Sequence, residues 1–305
     1  MKRMFTSLCF VLIAGLAFGQ TLTRDQMVFF TQEWEGERFA DGRPKVPDDI
    51  LDRIAKISIE EAWGYLRNQG YRNQFAGGWE PLHDDVVVVG RALTAQYMPT
   101  RPDMQQPLEE KGKQDGRIGA MNSWPIDALV QGDVYVADAF GKVINGTLIG
   151  DNLGNAIYAK SGNGVVFDGG SRDLEGLSKI DGFNVFVRGW DPSYLMETML
   201  TGLNTPIMIG EATVLPGDVV LAKREGVIFI PAHLAAATVI QAEFIALRDK
   251  FGHQRLREGK YTPGQIDTRW TDAIKEDFLA WLDDNEDLLP MSREELDAYM
   301  KSRTW

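Results

Sequence analysis

The hydrophobic pattern changes character along the chain. In "PDDILDRIAKISIEEAWGYLRNQG", residues 47–70, Ile50, Ile54, Ile57, Ala62, Tyr65 and Leu66 recur at roughly helical spacing. Pro47 stands near the start and Gly70 closes the run. The spacing predicts a helical N-terminal extension over residues 20–79. "DDVVVVGRALTAQYM" then turns to a β pattern, with Val86 to Val89 as a strand and Gly90 as its break. "RPDMQQPLEEKGKQDGR", polar and with prolines at 102 and 107, reads as an exposed loop. The middle of the chain alternates short apolar runs with turns: "GDVYVADAFG", "GVVFDGG", "FNVFVRG", then the turn Pro216-Gly217-Asp218 between apolar runs and a second short hairpin after it. One short helix, "NLGNAIYAKSG", lies among them. From Pro231 a long amphipathic helix runs to about Lys250, followed by the loop "EGKYTPGQIDTRW" and two acidic amphipathic helices. The last of these opens on the capping pattern Ser292-x-x-Glu295. The reading is an α/β core over 80–250, in which strands outnumber helices, and a helical C-terminal tail over 251–305.

Residues 1–19 stand apart. Lys2 and Arg3 precede an apolar run from Met4 to Phe18, and Ala17 and Gly19 are the small residues a signal peptidase reads. A cleaved signal peptide, with Gln20 as the new N-terminus, is the expectation, and with it export to the periplasm or the medium. The run is shorter than the ~20 residues a spanning helix needs, so no stable membrane anchor is expected. The single cysteine, Cys9, falls inside this segment, which leaves the mature chain without disulfide or thiolate chemistry.

Composition narrows the chemistry. The 305 residues are 44% hydrophobic and 25% charged, an ordinary globular balance, with a net charge of −12. That charge argues against a nucleic-acid partner, which calls for a basic face. "GNGVVF" has Gly162 and Gly164 but Phe167 where a dinucleotide fingerprint needs a third glycine, and it precedes a strand instead of joining a strand to a helix. His83, His233 and His253 are scattered and do not pair at zinc-ligand spacing. Carboxylates, arginine and a hard metal are what remain for catalysis.

The informative stretch is "GTLIGDNLGNAIYAKSGNGVVFDGGSRDLEG", residues 146–176. Asp151 opens the short helix, where the N–H groups of Asn152, Leu153 and Gly154 would be unpaired and suited to a carboxylate or phosphate. Arg172 and Asp173 follow the apolar strand Val165–Phe167 on a glycine loop. A carboxylate in such a loop suits Mg²⁺, which keeps much of its hydration. The residues leave two readings open. Either the two loops converge on one polar site, or Asp151 caps its helix and Arg172 pairs with Asp173 or Asp151.

"GDVYVADAFGKVINGTLIGDNLGNAIYAKSGNGVVFDGGSRDLEGL", with "FNVFVRG" and "PGDVVLAKREGVIFIP", closely resembles the RraA-like family over roughly residues 80–235. This family includes the regulator of ribonuclease activity A and class II 4-hydroxy-4-methyl-2-oxoglutarate/4-carboxy-4-hydroxy-2-oxoadipate aldolases. The family aldolases carry an Asp, a twenty-residue gap and Arg-Asp, which Asp151, Arg172 and Asp173 match. The regulators tend to lose the acid that Asp173 supplies here. The resemblance implies a swivelling β/β/α core, a homotrimer or homohexamer, and metal-dependent carbon–carbon lyase chemistry on a 2-oxo acid. It implies Mg²⁺ or Mn²⁺ on Asp173, the substrate carboxylate on the amides of Asn152, Leu153 and Gly154, and catalytic roles for Arg172 and Asp151. A non-catalytic regulator is the alternative, and a methyltransferase a weaker one, because no glycine-rich strand-to-helix cofactor loop is present. The signal peptide, the long extension and the tail are departures from the family pattern.

Overall fold

The computed structural model describes residues 20–302, so the expected signal peptide lies outside the described residues. Its centre is a run of parallel strands, Val88–Pro99, Asp133–Thr147, Val165–Ser171 and Val185–Val187. On one flank the antiparallel pair Val219–Lys223 and Gly226–Ile230 extends the sheet, with Phe75–Ala76 at its edge. On the other flank Glu80–Pro81 pairs with Val185–Val187, and Thr198–Leu203 joins the far half of Val88–Pro99.

Near-continuous apolar runs are what a strand buried on both faces requires. The two-residue alternation sorts those runs into layers. Leu93, Tyr135 and Phe167 point to one side, where they pack with Ile157 and Phe183. Ala92, Val136 and Val166 point to the other, under the small hairpin Ile207–Ile209/Ala212–Val214. A β-hairpin, the main sheet and a helical layer therefore stack in the β/β/α order. The helices Asp48–Ile54 and Ile59–Asn68 and the start of Ala235–Arg257 cover the antiparallel flank through Leu221, Ile228 and Ile230. The far half of Ala235–Arg257 packs with Asp272–Asp284 and Arg293–Lys301 around Phe251, Phe278 and Trp281. Arg53 ties these regions: its guanidinium donates to Glu243 at 3.0 and 2.5 Å and to Glu295 at 3.2 Å. Among the described residues no helix is long and apolar enough to cross a membrane.

Several boundaries differ from the sequence expectation. The stretch 47–70 makes two helices, because Ser58 and Glu61 form a reciprocal capping box that starts the second afresh. Residues 101–117, expected as a loop, contain the helix Pro102–Gln114. Pro102 sits in its first turn, where no donor is needed, and the mostly exposed helix leaves to solvent the carbonyl that Pro107 cannot satisfy. Gly90 does not break its strand. A Cβ there would stand 2.4 Å from the Gly132 carbonyl, so the glycine permits a close strand approach. The strand after Gly132 continues past Gly141 to Thr147, through left-handed Phe140 and Gly141. The long helix begins with a 3₁₀ turn, Ala232–Leu234, and runs to Arg257. The loop 258–270 contains the short helix Pro263–Ile266.

Candidate functional site

The two loops singled out above do meet. Asp133–Thr147 and Val165–Ser171 pair in parallel, and a bulge after Asp138 slips the register until Thr147 lies opposite Gly170. Beyond that point the strand ends are laced together. Leu148 N donates to Gly170 O at 3.0 Å, Arg172 N to Ile149 O at 3.1 Å, and Ser171 Oγ to Ile149 O at 3.1 Å. The lacing sets Gly150-Asp151 beside Arg172-Asp173 at the carboxyl ends of parallel strands, where open α/β sheets place their ligands.

Glycines make the contact possible. A Cβ on Gly150 would lie 2.2 Å from Asp173 Oδ2 and 3.2 Å from Arg172 Cζ. A Cβ on Gly176 would lie 2.7 Å from Asp151 Cβ and 2.8 Å from Asp151 Oδ2. Each carboxylate thus rests on the bare backbone of the other loop. Asp173 has left-handed dihedrals, φ 57° and ψ 42°, which an Asp tolerates at modest cost and which orient the start of the short helix Leu174–Leu177. The Arg172 guanidinium forms an ion pair with Asp173, Nη1 to Oδ2 at 3.2 Å, with both side chains 36% exposed, and it faces the Tyr194 ring at 5.6 Å.

The helix start is less open than its sequence suggests. Asp151 is its first residue and Gly150 its cap. Asn152 N donates to Asp151 Oδ1 at 2.8 Å. Gly154 N donates to Gly150 O at 2.9 Å, because the fifth residue counted from the cap already closes the first helical bond. Gly154 is a packing glycine: its Cβ would meet Leu177 Cδ2 at 2.3 Å. Of the three expected amides, Leu153 N alone has no acceptor among the described residues. Asp151 and Arg172 form no ion pair among the described residues, so of the pairings weighed from sequence the Arg172–Asp173 one is present.

A cleft of about 140 Å³ opens here, walled by Asn122, Gly150, Leu153, Arg172, Tyr194 and Leu195 among others. Leu153 and Arg172 reach it directly; Asp151 and Asp173 border its Gly150 wall without lining it. Asn122 is held in place by its Nδ2 bond to Leu148 O at 2.7 Å. Asn122 comes from the 3₁₀ helix Met121–Ser123 and Tyr194 from an irregular segment, and neither carries a spacing signal in the sequence. A second cavity of about 310 Å³ shares Ala120 and Leu195 with the cleft and is walled by Gln105, Glu109 and Lys113 of the helix Pro102–Gln114. The segment read as a loop therefore borders the site. Among the described residues no group of three or more His, Cys, Asp or Glu side chains could hold a metal ion. The donor set fits a cation resting on the single carboxylate of Asp173 and otherwise on water, the habit of Mg²⁺.

The fold is thus an α/β protein with a β/β/α sheet whose paired loops bring Asp151, Arg172 and Asp173 around Gly150. The chain belongs to the RraA-like family: the family model described as Aldolase/RraA matches residues 47–229. The match starts well before residue 80 and so includes helices of the N-terminal extension. A candidate 4-hydroxy-4-methyl-2-oxoglutarate aldolase of Halalkalibacterium halodurans is 33% identical over 100 residues, which cover 33% of this chain and 47% of that protein. Another, of Alcanivorax borkumensis, is 32% identical over 104 residues, covering 34% and 64%. The chain thus spans about half to two thirds of the length of these relatives. Among solved structures, Streptomyces coelicolor RraAS2, described as an unusual member of the RNase ES inhibitor RraA family, superposes with a TM-score of 0.60. It is 26% identical, with coverage of 69% of this chain and 100% of that one. An uncharacterised Pseudomonas syringae protein shares the fold with a TM-score of 0.61 at 22% identity, over 76% of this chain and 99% of that one.

Proposed function

We propose that the protein is a divalent-metal-dependent carbon–carbon lyase that cleaves a 2-oxo acid and releases pyruvate or a similar 2-oxo product. The observation that carries this reading is the convergence of Asp151, Arg172 and Asp173 on Gly150 beside a cleft. The aldolase names of the relatives support it. Asp173 would hold Mg²⁺ or Mn²⁺, which when bound supplies Lewis acidity toward the substrate's 2-oxo group. Arg172 lines the cleft and is the cation placed to stabilise negative charge as it develops on that oxygen. The Leu153 amide, at a helix N-terminus and in the cleft wall, is the donor left for the substrate carboxylate. Asp151 stays clear of Arg172, so water can stand between them and return a proton to the product carbon.

The test is a screen of 2-oxo acids and sugar-acid derivatives for pyruvate release, with and without Mg²⁺. Metal-dependent turnover that is lost in Arg172→Ala supports the reading. Its absence across the panel, together with tight binding of a ribonuclease, would favour the second reading, a regulator. That reading is supported by the RNase ES inhibitor family of the Streptomyces relative.

We further propose an exported homotrimer or homohexamer. The basic start and apolar run of residues 2–18 support export. Beside the site Phe140, Ile144, Tyr194 and Met196 are 42–63% exposed, an apolar surface that a second subunit would cover. N-terminal sequencing of native protein and its sedimentation at working concentration check the two proposals.

A further inference from the structure

A cavity of about 380 Å³ lies elsewhere, with no wall in common with the Gly150 cleft. Its walls include Phe30, Glu33 and Trp34 of the N-terminal segment, Tyr71, Asp218, and His233. Phe30–Trp34 precede the family-matched residues 47–229, and His233 follows them. The cavity is therefore assembled where segments outside the family match fold back onto the family core.

Its charge is one-sided. Among all its walls there are two carboxylates, Glu33 and Asp218, and neither lysine nor arginine. Asp218 is only 4% exposed. Its Oδ2 accepts Leu215 N at 2.8 Å, which locks the turn through Pro216 and Gly217, and the Ala232 backbone also hydrogen-bonds the carboxylate. Among the described residues no cation pairs with it, although a buried carboxylate is costly without one. Burial pushes the Asp218 carboxyl up to about 7, as expected for an acid that lacks a counter-charge. His233 does not supply the charge. Its Nε2 is 3.2 Å from the Tyr71 hydroxyl, and burial lowers its pKa, which keeps the ring neutral at pH 7. Those backbone bonds account for the acid's place in the turn; they do not call for three aromatic side chains and a second acid around a cavity of ligand size.

We propose that this cavity is a second binding site, for a small organic ammonium ion. Asp218 and Glu33 take the cationic head, and Phe30, Trp34 and Tyr71 take the apolar body and add cation–π attraction.

The test is titration calorimetry on the full chain with phenethylammonium chloride as probe, beside phenethyl alcohol and hydrocinnamate, which share its body but not its charge. The ammonium is expected to bind with Kd below about 1 mM and the other two at least about tenfold more weakly. Glu33→Gln, at an exposed position that leaves the turn intact, and Asp218→Asn should each weaken the ammonium by about tenfold or more, the usual effect of losing a charged hydrogen-bond partner. Lyase turnover in Glu33→Gln should stay at the wild-type level, which separates this site from the Gly150 cleft. No binding at about 10 mM, equal binding of phenethyl alcohol, or unchanged affinity in folded Glu33→Gln would each overturn the proposal.

Discussion

The Asp173 carboxylate occupies the space where Gly150 would carry a side chain: a Cβ at Gly150 would stand 2.2 Å from Asp173 Oδ2. Gly150 itself has φ −127° and ψ −167°, an extended conformation open to any residue. The glycine is therefore required for space, not for backbone freedom. Gly150→Ala should push Asp173 and Arg172 apart. Overpacking of this kind costs roughly 1–3 kcal/mol, so the variant should remain folded by circular dichroism while metal-dependent turnover collapses. Wild-type turnover in Gly150→Ala would show that the Asp173 position is not catalytic.

Arg172→Lys separates catalysis from simple ion pairing. Lysine keeps the charge but loses the planar fork that meets Asp173 and the Tyr194 ring. If Arg172 stabilises charge that appears only in the transition state, kcat and kcat/KM should fall together, by ~2.7–4 kcal/mol or roughly a hundred- to a thousandfold. A surface pair this exposed contributes about 0–1 kcal/mol to stability. Steady-state kinetics and a melting curve distinguish the two.

Chelation should abolish turnover, and Mg²⁺ or Mn²⁺ should restore it. Asp173→Asn preserves shape and removes the charge that would hold the cation, so its activation by Mg²⁺ should require about tenfold more metal or more. Full activity in metal-stripped protein, verified by elemental analysis, would contradict the metal role.

Asp218 predicts the direction of a stability profile. Its folded carboxyl titrates near 7 against an ordinary 3.8. Between those values the folded state binds the extra proton, so stability falls as pH rises through this window. Below about pH 4 the contribution is fully present, and above about pH 7 it is lost. The size is up to about 4 kcal/mol. Asp218→Asn should flatten this part of the profile, measured by denaturant unfolding between pH 5 and 8.

Arg43 and Asp133 form a buried pair at 3.1 Å, with side chains 2% and 0% exposed. Arg43→Met would leave the Asp133 carboxylate buried without its cation, a loss of about 3–5 kcal/mol. Asp133→Leu added to that variant should recover much of the loss, which a double-mutant cycle of unfolding free energies would read.

The parts of this protein visible in sequence are those governed by local rules. The strand Val165–Ser171, the helix at Asp151 and the Ser292 cap each follow from apolar runs, glycine stops or a capping hydroxyl. What the sequence obscured depends on distant neighbours. Gly90 reads as a break until the Gly132 carbonyl is seen against it. Pro107 reads as a loop marker because propensity is counted per residue, whereas the helix around it is held by Pro102 at its start and by its neighbours. At the site, Asp151, Arg172 and Asp173 could be picked by residue type and family resemblance. Their juxtaposition could not, since it rests on the register slip that brings Thr147 opposite Gly170. Nor does the sequence show that the Asn152 amide is taken by the neighbouring side chain and the Gly154 amide by the first helical turn.

Arg53 reaches across 190 residues to Glu243 and 242 residues to Glu295. Glu243 is 7% exposed, and its hydrogen bonds raise the Arg53 pKa. Removing the helix that carries Arg53 would strand a buried acid, while removing the one that carries Glu295 would open the same junction from the other side. The N-terminal and C-terminal helices are therefore coupled through one guanidinium. Expression boundaries that remove either set of helices alone should yield protein that aggregates.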